Sequence, residues 1–89
     1  MLAPLYKKQF EKDLKRVLKR GKSSQKIKDV IEKLIKQMPL EQSLRDHPLK
    51  GNYADCRELH IEPDWLLIYL IQENTITFVR TGSHSDLFG

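Results

Sequence analysis

The chain has 89 residues, 39% of them hydrophobic and 31% charged, with one cysteine and a formal net charge of +4. This length points to one domain over residues 1–89 with one core, and the composition excludes disorder and a membrane protein. The longest apolar run, from Trp65 to Ile71, falls far short of the roughly 18–20 residues of a spanning helix. Lys7 and Lys8 interrupt the opening, so no signal-peptide pattern is expected, and the lone Cys56 fits a reducing cytoplasm with no internal disulfide. The net charge hides an asymmetry. Residues 1–38 hold 12 Lys and Arg against 4 Asp and Glu, whereas residues 39–89 hold 4 against 8. A basic front half reads either as well-solvated helices or as a footprint for nucleic acid.

Met1 to Tyr6 is short and apolar, and Pro4 restricts it to an edge strand or strand start. From Lys7 the period changes: Phe10, Leu14, Val17 and Leu18 form the stripe of an amphipathic helix. Gly21 is its natural stop, and Ser23 or Ser24 can cap the next helix. Ile27, Val30, Ile31, Leu34, Ile35 and Met38 repeat the stripe until Pro39. The pair reads as an antiparallel hairpin that needs a sheet to cover. Residues 39–52 connect, with His47-Pro48-Leu49-Lys50-Gly51 as an ordered turn. Tyr53–Ile61 reads as a strand with Arg57, Leu59 and Ile61 on one face and Cys56, Glu58 and His60 on the other. Glu62-Pro63-Asp64 turns into the central strand Trp65–Ile71, and Thr75–Arg80 completes a meander. The expected order is β-α-α-β-β-β, an α+β layer pair with the helices on one face of a twisted antiparallel sheet.

All three histidines, His47, His60 and His84, lie in the back half at strand edges and turns, with Asp64 and Arg80 in the same stretch. A meander brings successive strand ends together, so these five residues can share one region of the open sheet face. Imidazoles move protons near neutral pH, a guanidinium stabilises phosphate charge, and a carboxylate orients or exchanges a proton. Such a set suits attack of an RNA 2′-hydroxyl on its own phosphodiester, without a metal. Each residue has a plainer reading. A turn histidine can be a capping residue, Arg80 a surface partner of Glu58 or Glu62, and Asp64 a turn former. Trp65 is either core or a stacking platform for a base, Phe88 a plug for a gap, and Cys56 a small hydrophobe. A zinc site of His47, His60, His84 and Cys56 lacks the spacing of any common finger, so no metal and no cofactor are expected. No Gly-rich phosphate loop and no nucleophile elbow occur.

Asp46-His47-Pro48-Leu49-x-Gly51, Arg57-x-x-His60-x-x-Pro63-Asp64-Trp65-x-Leu67-x-Tyr69 and Arg80-Thr81-Gly82-x-His84-x-x-Leu87-Phe88 resemble the YafQ-type toxins of the RelE/ParE toxin–antitoxin superfamily. The match covers about half the chain by position. The resemblance implies a RelE-like fold and an mRNA endoribonuclease of the cytoplasm that acts in the ribosomal A site. It implies functional roles at His47, His60, Asp64, Trp65, Arg80, His84 and Phe88, with the last histidine and the Asp in proton transfer, the arginine at the transition state and the aromatics positioning bases. It also implies an antitoxin that wraps this domain and blocks the site; from the sequence, the exposed edge strand and the basic helices are the surfaces available to it. Lys12, Lys15, Arg16, Lys19, Lys28 and Lys36 avoid the apolar stripes and are the expected contacts to RNA of the ribosome. The alternatives are a ParE-like gyrase poison and a non-catalytic nucleic-acid-binding module of the same fold.

Overall fold

The computed structural model describes residues 1–89. Strand β1 (Ala3–Tyr6) leads into helices α1 (Lys8–Lys19) and α2 (Ser24–Ile35), whose apolar stripes face one side of a sheet. α1 stops where expected. Gly21 takes φ 94°, and the amides of Gly21 and Lys22 donate to the carbonyls of Leu18 (3.0 Å) and Val17 (3.2 Å). The left-handed position of this closing turn suits glycine. Ser23 caps α2 by accepting from the Lys26 amide. α2 ends three residues before Met38, because Gln37 adopts φ 56° and the Met38 amide turns back to the Lys33 carbonyl at 2.9 Å. Met38 is therefore exposed instead of extending the stripe.

The sheet has the order β1-β5-β4-β3-β2, with β3 (Arg57–Glu62), β4 (Trp65–Gln72) and β5 (Thr75–Gly82) in the expected antiparallel meander. β1 joins it parallel to β5, since the helical hairpin carries the chain back across before the meander begins. Two elements lie outside the sequence-based expectation. Within the connection, His47–Pro48 forms a two-residue strand, β2, paired with β3. After β5, His84–Phe88 forms a short helix, α3. β3 starts at Arg57 instead of Tyr53, because Tyr53 closes a 3-10 turn and Asp55 has φ 75°.

The main core lies between the helices and the sheet. Phe10 and Phe78 meet there at 5.8 Å, and Tyr6 stacks on Phe78 at 5.3 Å. Such aromatic pairs each add about 0.5–1.5 kcal/mol beyond the area they bury. Trp65, Leu67 and Tyr69 of β4 enter this core, while Leu66 and Ile68 point to the other face. There they meet Cys56 and Leu87 in a second, smaller cluster, so α3 covers part of the face expected to be open. Burial raises the thiol pKa of Cys56, in keeping with a small hydrophobe.

Candidate active site

Residues paired directly across antiparallel strands point to the same face. His47 pairs with Glu58, Glu58 with Ile68, and Ile68 with Arg80, so one row of side chains crosses four strands. The next row runs from His60 through Leu66 to Gly82. A β-bulge makes the first row possible. Tyr69 pairs with Phe78 but Ile68 pairs with Arg80, leaving Val79 as the extra residue. Without it, Arg80 would share the core face of Phe78.

Three imidazoles stand side by side along this face. The rings of His47 and His60 are 6.0 Å apart and those of His60 and His84 are 5.9 Å apart. The Nδ1 of each is fixed by an acceptor: the Arg45 carbonyl at 2.7 Å for His47, the Pro63 carbonyl at 3.3 Å for His60, and Asp64 Oδ1 at 2.9 Å for His84. A carbonyl oxygen cannot donate, so the first two Nδ1 atoms carry protons, and the ionised Asp64 requires the same of the third. Nε2 is then the working nitrogen of every ring. Asp64 Oδ1 also accepts the His84 amide at 3.0 Å, and this bond, followed by the one from the ring, holds the Asp64 carboxyl below the usual carboxylate range.

Glu58 is the group that the sequence alone did not single out. Its side chain is 6% exposed, and Oε2 lies 3.1 Å from His47 Nε2 and 3.8 Å from His60 Nε2, while Oε1 is buried with no partner. With Nδ1 of His47 already donating, the short contact needs one shared proton, carried either by the imidazole or by the carboxyl. The signal was present, since Glu58 shares its parity with His60 on β3. The ligand atoms of His47, Glu58 and His60 all lie within 4.8 Å of one another. Two of the separations, 3.1 and 3.8 Å, bracket the roughly 3.3 Å between ligands of a tetrahedral transition-metal ion with bonds of about 2.0–2.1 Å. This differs from the set considered from sequence: Cys56 is in the second core cluster, and His84 turns to Asp64.

Arg80 is held by Asp13 of α1, and not by Glu58 or Glu62. Its Nε and Nη2 donate to the two Asp13 oxygens at 2.6 and 3.2 Å, and this pairing raises the guanidinium pKa. Asp13 is fully buried and also accepts from Gln9, Arg16 and the Thr81 amide. It occupies the edge of β5 beyond Phe78, where β1 has ended. Its sequence signal was a carboxylate three residues after Phe10 and four before Val17, on the apolar stripe itself.

Asp46, beside His47, accepts from the Tyr69 hydroxyl at 2.5 Å and from Arg57 Nε at 3.2 Å. Burial and then Asp46 push the Tyr69 hydroxyl well above its ordinary pKa. This tie anchors the segment that presents His47. Phe88 is 49% exposed, 6.3 Å from His84 and edge-on to Tyr53 at 5.9 Å, free to meet a substrate. Trp65 does not serve as a stacking platform. It is 1% exposed in the main core, and its Nε1 donates to Thr81 Oγ1 at 3.0 Å. Among the expected RNA contacts, Lys12, Lys15, Lys19 and Lys28 are exposed and free of ion pairs, whereas Arg16 is turned to Asp13 and Lys36 to Glu32.

Known proteins share this fold. The family model described as the bacterial toxin of type II toxin–antitoxin system, YafQ, matches residues 2–89. The mRNA interferase toxin YafQ of Escherichia coli K12 is 42% identical over 85 residues, covering 94% of this chain and 92% of its own. A metal-bound toxin from Helicobacter pylori superposes with a TM-score of 0.92 at 46% identity, covering 99% of this chain and all of its own. In the E. coli DinJ–YafQ toxin–antitoxin complex, the matching chain gives 0.91 at 40% identity, with 99% and 98% covered. With its whole length matched and its fold shared, the chain belongs to the YafQ family of bacterial type II toxins.

Proposed function

We propose that residues 1–89 act as one catalytic unit, a toxin that cleaves mRNA by attack of the RNA 2′-hydroxyl on the adjacent phosphate. The observation that carries this is the row of three imidazoles, each oriented at Nδ1, around the nearly buried Glu58 carboxylate. On one side His47, Glu58 and His60 form a proton-accepting set that can draw the proton from the 2′-hydroxyl. On the other side His84, 57% exposed at its side chain, has Nε2 free of protein partners and can protonate the leaving 5′-oxygen. Asp64 fixes its tautomer and faces it with a negative charge. Arg80, aimed by Asp13, stabilises the phosphorane, and Phe88 packs against a base. The products are a 2′,3′-cyclic phosphate and a 5′-hydroxyl, with the proton passed from base side to acid side through solvent.

The exposed lysines of α1 and α2 support docking on ribosomal RNA, with the codon in the A site as substrate. DinJ binding by the E. coli relative supports a cognate antitoxin as partner. β1, an edge strand with all four residues exposed, and an apolar groove lined by Tyr6, Phe10, Leu14, Ile31 and Ile35 are surfaces it could cover. No helix is long and apolar enough to cross a membrane, and mRNA places the site of action in the cytoplasm. A metal ion held by His47, Glu58 and His60, as the metal-bound relative invites, would occupy the lone pairs that accept the proton. The proposed chemistry therefore has the ion as an inhibitor. Primer extension on translated and untranslated mRNA tests the reading. Cuts should appear within codons of the translated message and vanish with His84→Ala at equal folding; cleavage unaffected by that change removes the acid assigned here.

A further inference from the structure

α3 has only five residues, too few to hold a helix by its own hydrogen bonds, yet it carries His84 and Phe88. Its order must come from outside the helix. Leu87 supplies one anchor in the second core cluster. The other converges on Asp86. Oδ2 of Asp86 accepts from Arg20 Nη1 at 2.7 Å and from the Ser83 amide at 2.9 Å, Oδ1 accepts from Arg20 Nη2 at 3.1 Å, and the Asp86 amide donates to Ser83 Oγ at 3.1 Å. Arg20 is the C-cap residue of α1, 66 residues earlier. The chain is built for this approach, because a Cβ on Gly82 would lie 2.9 Å from both Asp86 Cβ and Oδ2, at a φ of 156°. Arg20, then the Ser83 amide, keeps the Asp86 carboxyl well below the usual carboxylate range, so the tie stays charged throughout the working pH range.

We propose that Arg20 and Asp86 are positioning residues for cleavage, a bidentate clamp between the end of α1 and α3 that sets His84 opposite His60. A two-pronged guanidinium fixes the plane of the carboxylate as well as its position. Asp86 is only 12% exposed, which separates this contact from the surface pairs elsewhere on the helices. The inference rests on the assignment of His84 as the acid. A competing role for Arg20 is an ordinary phosphate contact within the basic surface of α1, and it predicts the opposite response at Asp86.

The test compares wild type, Arg20→Gln, Arg20→Lys, Asp86→Asn and the double variant Arg20→Gln/Asp86→Asn. Single-turnover mRNA cleavage is measured on translating ribosomes, ribosome affinity separately across a salt titration, and His84 ring resonances by NMR. Each neutral variant should lose roughly tenfold to a hundredfold in cleavage rate, the scale of a misplaced reacting group, with affinity and salt slope unchanged. The double variant should be no worse than either single one, and Arg20→Lys, which keeps the charge without the fork, should fall between. The His84 resonances should shift towards those of a disordered ring while core methyl groups stay in place. The clamp is overturned if Arg20→Gln weakens affinity at constant rate and Asp86→Asn tightens it, or if both cleave as wild type does. Should Asp86→Asn fail to fold, Arg20→Gln on the more exposed partner decides the matter. If wild type cuts no mRNA, the proposed function fails, and the His84 spectrum of Arg20→Gln still decides whether the clamp exists.

Discussion

Asp13→Asn is the substitution whose cost the structure defines best. The side chain keeps its volume but loses its charge, and one of its two acceptor oxygens becomes an amide that faces donors. Arg16, with 40% of its side chain exposed, can turn to water. Arg80, at 20%, loses its carboxylate partner, and the Thr81 amide lies in a fully buried residue. Breaking a buried ion pair by removing one partner costs about 3–5 kcal/mol, and the remaining access of Arg80 to solvent places it near the bottom of that range. The Thr81 amide adds about 1 kcal/mol when poorly satisfied. A loss of about 4 kcal/mol is expected, a large share of the roughly 5–15 kcal/mol of a typical domain. Urea unfolding should show a lower midpoint with an unchanged slope. Adding Arg80→Met should restore part of the stability, because no cation then remains unpaired. Cleavage per folded molecule should also drop in Asp13→Asn, since Asp13 is the carboxylate that holds Arg80. A loss below about 1 kcal/mol, or wild-type cleavage by the folded variant, refutes the view that this carboxylate holds Arg80.

Glu58→Gln should leave the fold intact and lower single-turnover cleavage by about 10²-fold, the lower end for a general base; a loss under about threefold would leave base catalysis to the imidazoles alone. Dialysis against EDTA should not slow the enzyme, and added zinc or copper should inhibit wild type but not the residual activity of His47→Ala, whereas activity abolished by EDTA and restored by zinc would reverse the assignment. Charge reversal at Lys12, Lys15 and Lys19 should reduce the slope of log affinity against log salt by about 0.7–0.9 for each phosphate no longer neutralised, and unchanged ribosome binding would make them a solvated face only. For pH, Asp64 has a folded pKa below its unfolded value of about 3.9. Its stabilisation of the His84 segment is complete above that value and is lost as pH falls through the folded one. The His84 ring resonances should therefore still report the bond to the Asp64 carboxylate at about pH 5 and lose it only below about pH 4; a bond already lost at about pH 5 would refute the lowered carboxyl.

The helices, the meander and the parity of β3 were legible because they follow from periods of 3.6 and 2 in the apolar residues. His47, His60, Asp64 and His84 were legible as chemistry-bearing residues at strand ends, and the structure brings all four together. What stayed hidden depends on register. Val79 looks like an ordinary strand residue, yet as a bulge it moves Arg80 to the face of Ile68. A two-residue strand such as β2 has no period to detect, and α3 is specified by its capping box at Ser83 and Asp86 more than by any apolar stripe. Trp65 was ambiguous because a strand start can lie in or out of the core; its bond to Thr81 shows that β5 completes a buried partner that the local sequence could not reveal.

The basic surplus raises a geometric problem, because the hairpin covers the face opposite the histidine row. α1 resolves it by dividing its cations by type. Its arginines hold carboxylates: Arg16 reaches Asp13, which also holds Arg80, and Arg20 at its C-cap reaches Asp86, two residues after His84. Its lysines, Lys12, Lys15 and Lys19, stay exposed. The division follows from chemistry, since a planar guanidinium can fix a carboxylate in orientation while a hydrated ammonium serves as a movable point charge. α2 contributes less to a free positive surface. Lys22, just before it, and Lys26 both clasp Glu62, and Lys36 pairs with Glu32. Lys28 lines the groove beside Tyr6, towards the β1 edge and away from the histidines. Of the helix lysines, the free ones are therefore mainly on α1, whose Asp13 holds Arg80, while Arg45 stands exposed and unpaired beside His47 and His60. A polyanion drawn to the lysines of α1 would reach the histidine row past Arg80, so the residue proposed to stabilise the phosphorane would also mark its way in.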